Sequence, residues 1–510
     1  MRTVGVVFFH ALLAVTAAAQ TSPSLVATNA VPGGRKMSMQ DCVAQALKHN
    51  LDVQIQRYNP EIDLYNLHAS YGTAYDPTFT ASGTRSFNDQ PGGFFDGLQL
   101  PPTQTKESDF TSGINGELPW TGLQYGLNGY IYQQHLWRFT TNGLPFIAPD
   151  SIGSFGIKLT QPLLKNMWID QSRLTILVNK NTLRYDAEGF RYQVITSVTS
   201  VENAYYELTY ALENLKVQQE ALDLSQTQLD QDRQRLQIGT LAELSVQQDQ
   251  SQVAQNEANL ITAQSTLETD ENTLKNLITD HYSAWHDLDI QPTKPLSAPL
   301  VLFNLQDSWS RGLAERPDLK QYELNVKKQG IQLKFDRNQL FPELDVIGTY
   351  GWNGNGLYYS GAFGQLNQGS APYYSYEAQL TVPLGDVNAR NQFRSDKVTL
   401  KQVILKLKQF EQSVLVGIDN AVKTAQSDYE SVDATRQARI YAEAALDAEQ
   451  KTYGVGKATT FEVLTYQNNL TAARGQEIRA LANYEEALAN LYSQEGSTLD
   501  RLGINIEATP

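Results

Sequence analysis

Val194, Val201, Leu208, Leu215, Leu222, Leu229 and Leu236 stand seven residues apart without a miss. Val198, Tyr205 and Leu212 fill an alternate seam, which turns polar at Gln219, Gln226 and Arg233. A sustained seven-residue apolar repeat marks helices that supercoil left-handedly around their neighbours. The pattern predicts a helix from about Ile169 to Gly239. Some 70 residues at ~1.5 Å each make a rod of ~105 Å, which no compact domain houses. Such a helix is either a fibrous coil or the wall of a long tube. The spacing restarts after Gly239 as Val246, Val253, Leu260, Leu267 and Leu274. A looser version follows as Ile418, Ala425, Val432, Leu446, Tyr453, Val463 and Leu470. Gly239 and Gly454-Val455-Gly456 sit where each helix pair reverses, as helix-ending glycines do. The polar remainder is rich in Gln, Asn, Asp and Thr. It suits a water-filled interior or a plain solvated face, the latter being the commoner for helices in general.

The chain reads as a duplication. Met39-Gln40-Asp41-Cys42, Ala46-Leu47 and Asn50-Leu51-Asp52-Val53 are echoed by Leu305-Gln306-Asp307-Ser308, Gly312-Leu313 and Arg316-Pro317-Asp318-Leu319. Asp76-Pro77-Thr78-Phe79 parallels Phe341-Pro342-Glu343-Leu344. Leu159-Thr160-Gln161-Pro162-Leu163 parallels Leu380-Thr381-Val382-Pro383-Leu384, and Gly239 parallels Gly456. Pro77 to Pro162 is 85 residues and Pro342 to Pro383 is 41, so the first half carries 44 more (85 − 41).

Between the helical patterns lie short alternating stretches, each with one apolar and one polar face. Phe155, Ile157 and Leu159 form one; Leu344, Val346, Tyr350 and Trp352 another; Tyr376, Ala378, Leu380 and Val382 a third. The extra residues of the first half hold two more, marked by Phe110, Ile114 and Leu118 and by Leu123, Tyr125, Leu127 and Ile131. Pro119-Trp120-Thr121-Gly122 is a turn between them. Lengths near ten residues suit tilted membrane strands, and 26 Tyr, 18 Phe and 6 Trp can furnish interfacial girdles. The Gly/Asn/Tyr-rich stretch from Asn353 to Tyr374 reads as a connecting loop. So does Gly351-Trp352-Asn353-Gly354-Asn355-Gly356, which opens no helix and is therefore no phosphate cradle.

Met1-Arg2, the apolar run from Val4 to Val15 and Ala17-Ala18-Ala19 have the form of a signal peptide cleaved after Ala19. No run approaches the ~20 apolar residues of a spanning helix. An exported chain without membrane helices is either soluble or a β-barrel, and the alternating strands favour the barrel. The net charge of −15 argues against nucleic acid, which calls for a basic footprint. The single cysteine, Cys42, allows no internal disulfide. His281 and His286 miss the i, i+4 spacing of a zinc helix. No catalytic residue, metal site or cofactor is expected. Two classes stay open on the residues alone: a trimeric export channel, or an exported coiled-coil structural or adhesive protein without a pore. Paired strands between duplicated helices favour the channel.

These motifs resemble the TolC-like outer-membrane efflux proteins over about residues 37–500. The family's N-terminal helix corresponds to Met39–Val53. Its Leu-Thr-x-Pro-Leu strand end occurs at 159–163 and 380–384, and its tip motif as Tyr453, Gly456, Val463 and Leu464. The resemblance implies an α+β membrane protein with two internal repeats: a trimeric outer-membrane β-barrel continued by a long periplasmic α-helical coiled-coil barrel. It implies an exit duct for an efflux or type I secretion system. The partners would be two further copies, a periplasmic adaptor, an inner-membrane pump and outer-membrane lipid. The division that follows is signal peptide 1–19, flexible segment 20–36, first repeat 37–280, connector 281–304, second repeat 305–500 and tail 501–510. Strands occupy about 76–162 and 343–383, and hairpin tips lie near 239 and 455. The extra hairpin at about 108–133 exceeds the family's two strands per repeat. The adaptor would dock at Gly239, Thr240, Leu241, Gly454, Gly456 and Lys457. Glu462 and Thr465 hold the places of two tunnel-closing aspartates. Phe461, Tyr466, Ser245 and Asp249 complete the implied constriction.

Overall fold

The computed structural model describes residues 34–99, 102–139 and 145–506. The signal peptide expected over 1–19 lies outside them. Ser38 starts α1 (Met39–His49) with a capping box, its hydroxyl taking the Asp41 amide while Asp41 takes the Ser38 amide. Asn50 ends that helix and caps α2 (Leu51–Tyr75), accepting the Val53 amide at 3.1 Å. Four long strands follow: β1 (Thr78–Gln90), β2 (Thr103–Glu117), β3 (Gln124–Phe139) and β4 (Pro145–Pro162). Asp170 then caps α3 (Gln171–Gln237), a helix of 67 residues. The chain reverses at Gly239 (φ +77°) into α4 (Glu243–Ile278).

The second half runs similarly. Asn304 caps α5 (Leu305–Glu315), and Pro317 opens α6 (Pro317–Gln339) at the position where its missing N–H costs nothing. Then come β5 (Glu343–Gly356), a short α7 (Tyr359–Gln368), β6 (Pro372–Thr381) and α8 (Val387–Gly454) of 68 residues. Gly456 (φ +74°) reverses the chain into α9 (Thr460–Glu495). The two tips close alike. Gly239 N–H donates to Leu236 O and Thr240 N–H to Arg235 O; Gly456 N–H donates to Tyr453 O and Lys457 N–H to Thr452 O.

Each long helix carries two shorter ones of its own half, α2 and α4 on α3 and α6 and α9 on α8, and α6 and α9 also pack on α3. The seven-residue positions Val194, Val201, Leu208, Leu222 and Leu229 are buried. A second seam of α3 runs through Phe190, Ser197, Ala204, Ala211, Ser225 and Asp232, all buried and mostly small. Small side chains there let the neighbouring helices approach closely. The largest core cluster surrounds Tyr205, Leu208, Leu274 and Ile278, where α1 and a short ladder close over α3 and α4. In that ladder Arg35–Met37 pairs in parallel with Ile290–Pro292. Tyr205 Oη donates to Met37 O and accepts the Thr293 amide. Cys42 is wholly buried there, its thiol pushed up to about 12 by the loss of water.

β1 to β6 form one sheet whose spatial order equals the chain order, every neighbouring pair antiparallel. The turn around Gly122 sits at the helical end, where a Cβ would collide with Arg173 at the start of α3. Two expectations fail. The stretch 351–356 is not a surface loop: β5 runs through it to Gly356, paired with β4 as far as Ser151. Residues 359–368, expected as loop, are the helix α7. Gly354 and Gly356 belong to a strand because α7 lies against them, where side chains would have no room, and Gly351 because it packs on Phe155 O and Gly156 of β4.

Candidate channel wall and tip junction

The sheet register sorts the side chains. Phe79, Ile114, Leu127, Ile157, Tyr350 and Tyr374 form one row across all six strands, each opposite the next, and all six are exposed. Phe110, Ile131, Phe155, Trp352, Tyr376 and Leu380 share that face. The other face carries Thr80, Thr111, Asn128, Lys158, Thr349 and Ser375. It is concave, since all six strands line one depression on it through Thr80, Gly113, Asn128, Gly156, Thr349 and Tyr373. A sheet with its polar face inside the curve and a wide apolar face outside it is inverted relative to a soluble sheet. Exposed apolar surface on this scale needs a nonaqueous partner. From Leu344 to Gly354 the apolar side spans ten steps of β5, so ~33 Å along the strand and ~25 Å in height at a ~40° tilt, the height of a membrane barrel's apolar band. No helix is long and apolar enough to cross a membrane among the described residues.

At the far end of the helices, α3, α4, α8 and α9 meet on a buried polar cluster. Asp232 of α3 and Asp249 of α4 are both fully buried. Tyr453 of α8 donates to Asp232 at 2.6 Å, Gln228 at 2.9 Å and Thr460 of α9 at 3.3 Å. The Arg235 guanidinium lies over the Tyr453 ring, 4.5 Å from its centroid, and 3.8 Å from Asp232. Neither oxygen of Asp249 accepts from any donor; its carboxyl faces Asp232. Two buried carboxylates side by side cannot both ionise cheaply. Burial, then the Asp232 charge, push Asp249 up to about 7, so the pair holds a proton near neutral pH. Further up the hairpins Arg474 pairs with Glu220 at 2.7 Å and Arg479 with Glu207 at 2.6 Å, tying α9 to α3.

The residues singled out from sequence divide in two. Asp249 is in the junction. Ser245 and Tyr466 are half-buried near it, while Phe461, Glu462 and Thr465 are exposed on the first turns of α9. Glu462 forms a capping box with Thr459, accepting its amide at 2.7 Å and its hydroxyl at 2.9 Å. Those bonds hold its carboxyl below the usual range. Thr465 donates to Phe461 O at 2.8 Å. Gly239, Thr240, Gly454, Gly456 and Lys457 are exposed at the two tips, and Leu241 is half-buried. Asp232 escaped the sequence reading. Its signal was available: it is the only charged member of the small-residue seam of α3.

A wall with a lipid-type outer face, continued by paired coiled-coil hairpins, defines the class of outer-membrane channels that carry a helical extension. The outer membrane efflux protein model matches residues 152–279 and 309–497, and the chain belongs to that family. Outer membrane protein TolC of Escherichia coli (strain K12) is 24% identical over 356 residues, 68% of this chain and 69% of TolC. Outer membrane efflux protein BepC of Brucella suis is 22% identical over 362 residues, 69% of this chain and 74% of BepC. The crystal structure of the Campylobacter jejuni CmeC outer membrane channel superposes with a TM-score of 0.64 at 14% identity, over 90% of this chain and 86% of CmeC. That structural likeness speaks to the fold.

Proposed function

We propose that three copies of the chain close into an exit duct in the outer membrane, passing substrates from a periplasmic adaptor and an inner-membrane pump to the exterior. The observation that carries this reading is the six-stranded sheet with its apolar convex face. Six antiparallel strands put the outermost two, β1 and β6, in opposite directions, so β1 of one copy can pair antiparallel with β6 of the next. Closure then needs no change of pattern and leaves no free edge. Three copies give eighteen strands, a number that leaves an aqueous channel in a membrane barrel. The 108–133 hairpin thereby contributes to the wall. A pore-free adhesive coil gives no reason for an apolar face of this extent.

The long hairpins form the periplasmic tunnel, and their tips form its entrance. Tips at Gly239–Leu241 and Gly454–Lys457 receive the adaptor, because they lie farthest from the sheet. Glu462, Thr465, Phe461 and Tyr466, with Ser245 of the other hairpin, surround the constriction, and the buried Asp249 lies in the junction behind them. The segment 1–19 acts as the export signal. The test is fractionation followed by planar-bilayer recording. A heat-modifiable trimer from the outer membrane that conducts ions is expected. A monomeric periplasmic product without conductance would overturn the reading.

A further inference from the structure

The segment between β5 and β6 is set apart by composition and by place. No charged residue stands between Asp345 and Glu377. Within it α7 lies flat on a platform of three glycines. A Cβ on Gly153 of β4 would stand 2.9 Å from Leu366, one on Gly356 of β5 would stand 2.8 Å from the Ala362 nitrogen, and one on Gly354 would collide with the Ala362 carbonyl. The register fixes the side. Gly153 pairs with Ile131 and Gly354, on the face that carries Phe110, Phe155 and Trp352. The helix therefore sits on the convex apolar face, not over the concave polar one. Gln365 accepts the Asn355 amide at 2.8 Å, and Tyr359 reaches past β4 and β3 to donate to Ser108 O of β2 at 3.3 Å. Ala362 is wholly buried beneath it, while Phe363, Leu357 and Tyr358 stay more than half exposed. Its height is the margin of the apolar band farthest from the helical hairpins. Beyond it the same face turns polar at Arg85, Ser108 and Gln133.

We infer that α7 is an interfacial helix, lying in the outer surface of the membrane with Phe363 toward lipid and leaving the pore mouth uncovered. The occupant is a lipid surface, because Phe363 of α7, with Leu357 and Tyr358 just before it, is exposed at the margin of the apolar band on the same face. An uncharged segment with aromatic side chains is what the boundary between headgroups and acyl chains accepts. The inference rests on the reading that the convex face of the sheet meets lipid. The helix would brace the long strands β2 to β5 from outside and set the depth of the barrel in the bilayer.

The test uses the full-length protein in phosphatidylcholine vesicles, with an environment-sensitive fluorophore on one introduced cysteine. Cys42 is buried and does not compete. The sites are Phe363→Cys on α7, Ile157→Cys in the middle of the band and Tyr130→Cys on the concave face. A nitroxide carried on the lipid should quench Phe363→Cys and Ile157→Cys several-fold more than aqueous iodide does, and Tyr130→Cys the reverse. Iodide quenching at Phe363→Cys with lipid quenching kept at Ile157→Cys overturns the interfacial helix alone. Loss of lipid quenching at Ile157→Cys overturns the lipid-facing wall itself. A fall in single-channel conductance when Phe363→Cys is labelled would place α7 over the pore and also overturn the inference.

Discussion

Tyr453 on α8 places its hydroxyl 2.6 Å from the carboxylate of Asp232 on α3, a bond between two hairpins whose residues lie 221 apart in the chain. It is buried, and it joins the two halves of the molecule at their helical tips. A hydrogen bond to a buried charge contributes about 1.5–3 kcal/mol. Tyr453→Phe removes the donor without opening a cavity. The expected result is a looser tip: faster amide exchange around 228–250 and 450–465, and a larger or noisier conductance. Unchanged exchange at both tips would show that the bond does not hold the hairpins together.

The Asp232–Asp249 pair makes that junction sensitive to pH. Asp249 rises from its ordinary 3.8 to about 7, because burial and the neighbouring charge disfavour its ionised form. The folded junction therefore binds a proton that the separated hairpins release. Stability contributed here is full below about pH 4 and declines as pH rises through about 7. Asp249→Asn supplies a neutral partner at every pH. Its tip should be firmer than the unmodified one at pH 8, less so at pH 5, and nearly equal to it only below about pH 4. Melting curves or tip exchange rates across that range give the answer; parallel curves for the two proteins would mean no shared proton.

What could be read from the residues, and what could not, follows from periodicity. The rod of α3 was legible because one apolar position in seven recurs for six turns of the pattern and Gly239 ends it. The strands with strong alternation, such as Phe155-Ile157-Leu159, were legible for the same reason. β1 was legible only as the start of the strand region from about 76: Arg85 interrupts Phe79, Ala81, Gly83 and Phe87 on its apolar face, so its own alternation fades. The strand at 351–356 looked like a loop because glycine weakens a strand taken alone. The reason for glycine at 354 and 356 is α7, a tertiary contact that no local pattern announces. Asp232 was overlooked since a search for large apolar residues passes over Ser197, Ala204, Ala211 and Ser225.

The reversal glycines have room but not freedom. Nothing lies within 4 Å of a Cβ built on Gly239 or Gly456, yet both have φ near +75°. A β-branched residue there costs about 1–2 kcal/mol in backbone strain alone. Gly456→Val should leave trimer yield intact, since the sheet is remote, and should reduce recovery of the adaptor in crosslinking. Gly454→Ala is the control, being open and free of positive φ. Equal adaptor recovery from all three proteins would put docking elsewhere on the hairpins.

Glu462 has two possible occupations, and one substitution separates them. Within the chain it closes the capping box of α9 with Thr459. In a three-fold tunnel three copies of it would stand around one axis, where a ring of carboxylates attracts cations. Glutamine at the same helix position can still complete a capping box, so Glu462→Gln removes the charge and keeps the cap. Its exposure and lowered carboxyl range mean that the side chain is charged at neutral pH. If the ring exists, planar-bilayer recordings of Glu462→Gln should show lower cation selectivity and weaker block by multivalent cations. Thr465 supplies no second charge, so the change should be complete in this one variant. Thr459→Ala weakens the cap and keeps the charge; its selectivity should remain that of the unmodified channel. If selectivity, conductance and cation block of Glu462→Gln all match the unmodified channel, Glu462 is a helix cap only, and closure rests on Phe461, Tyr466 and the buried junction below them.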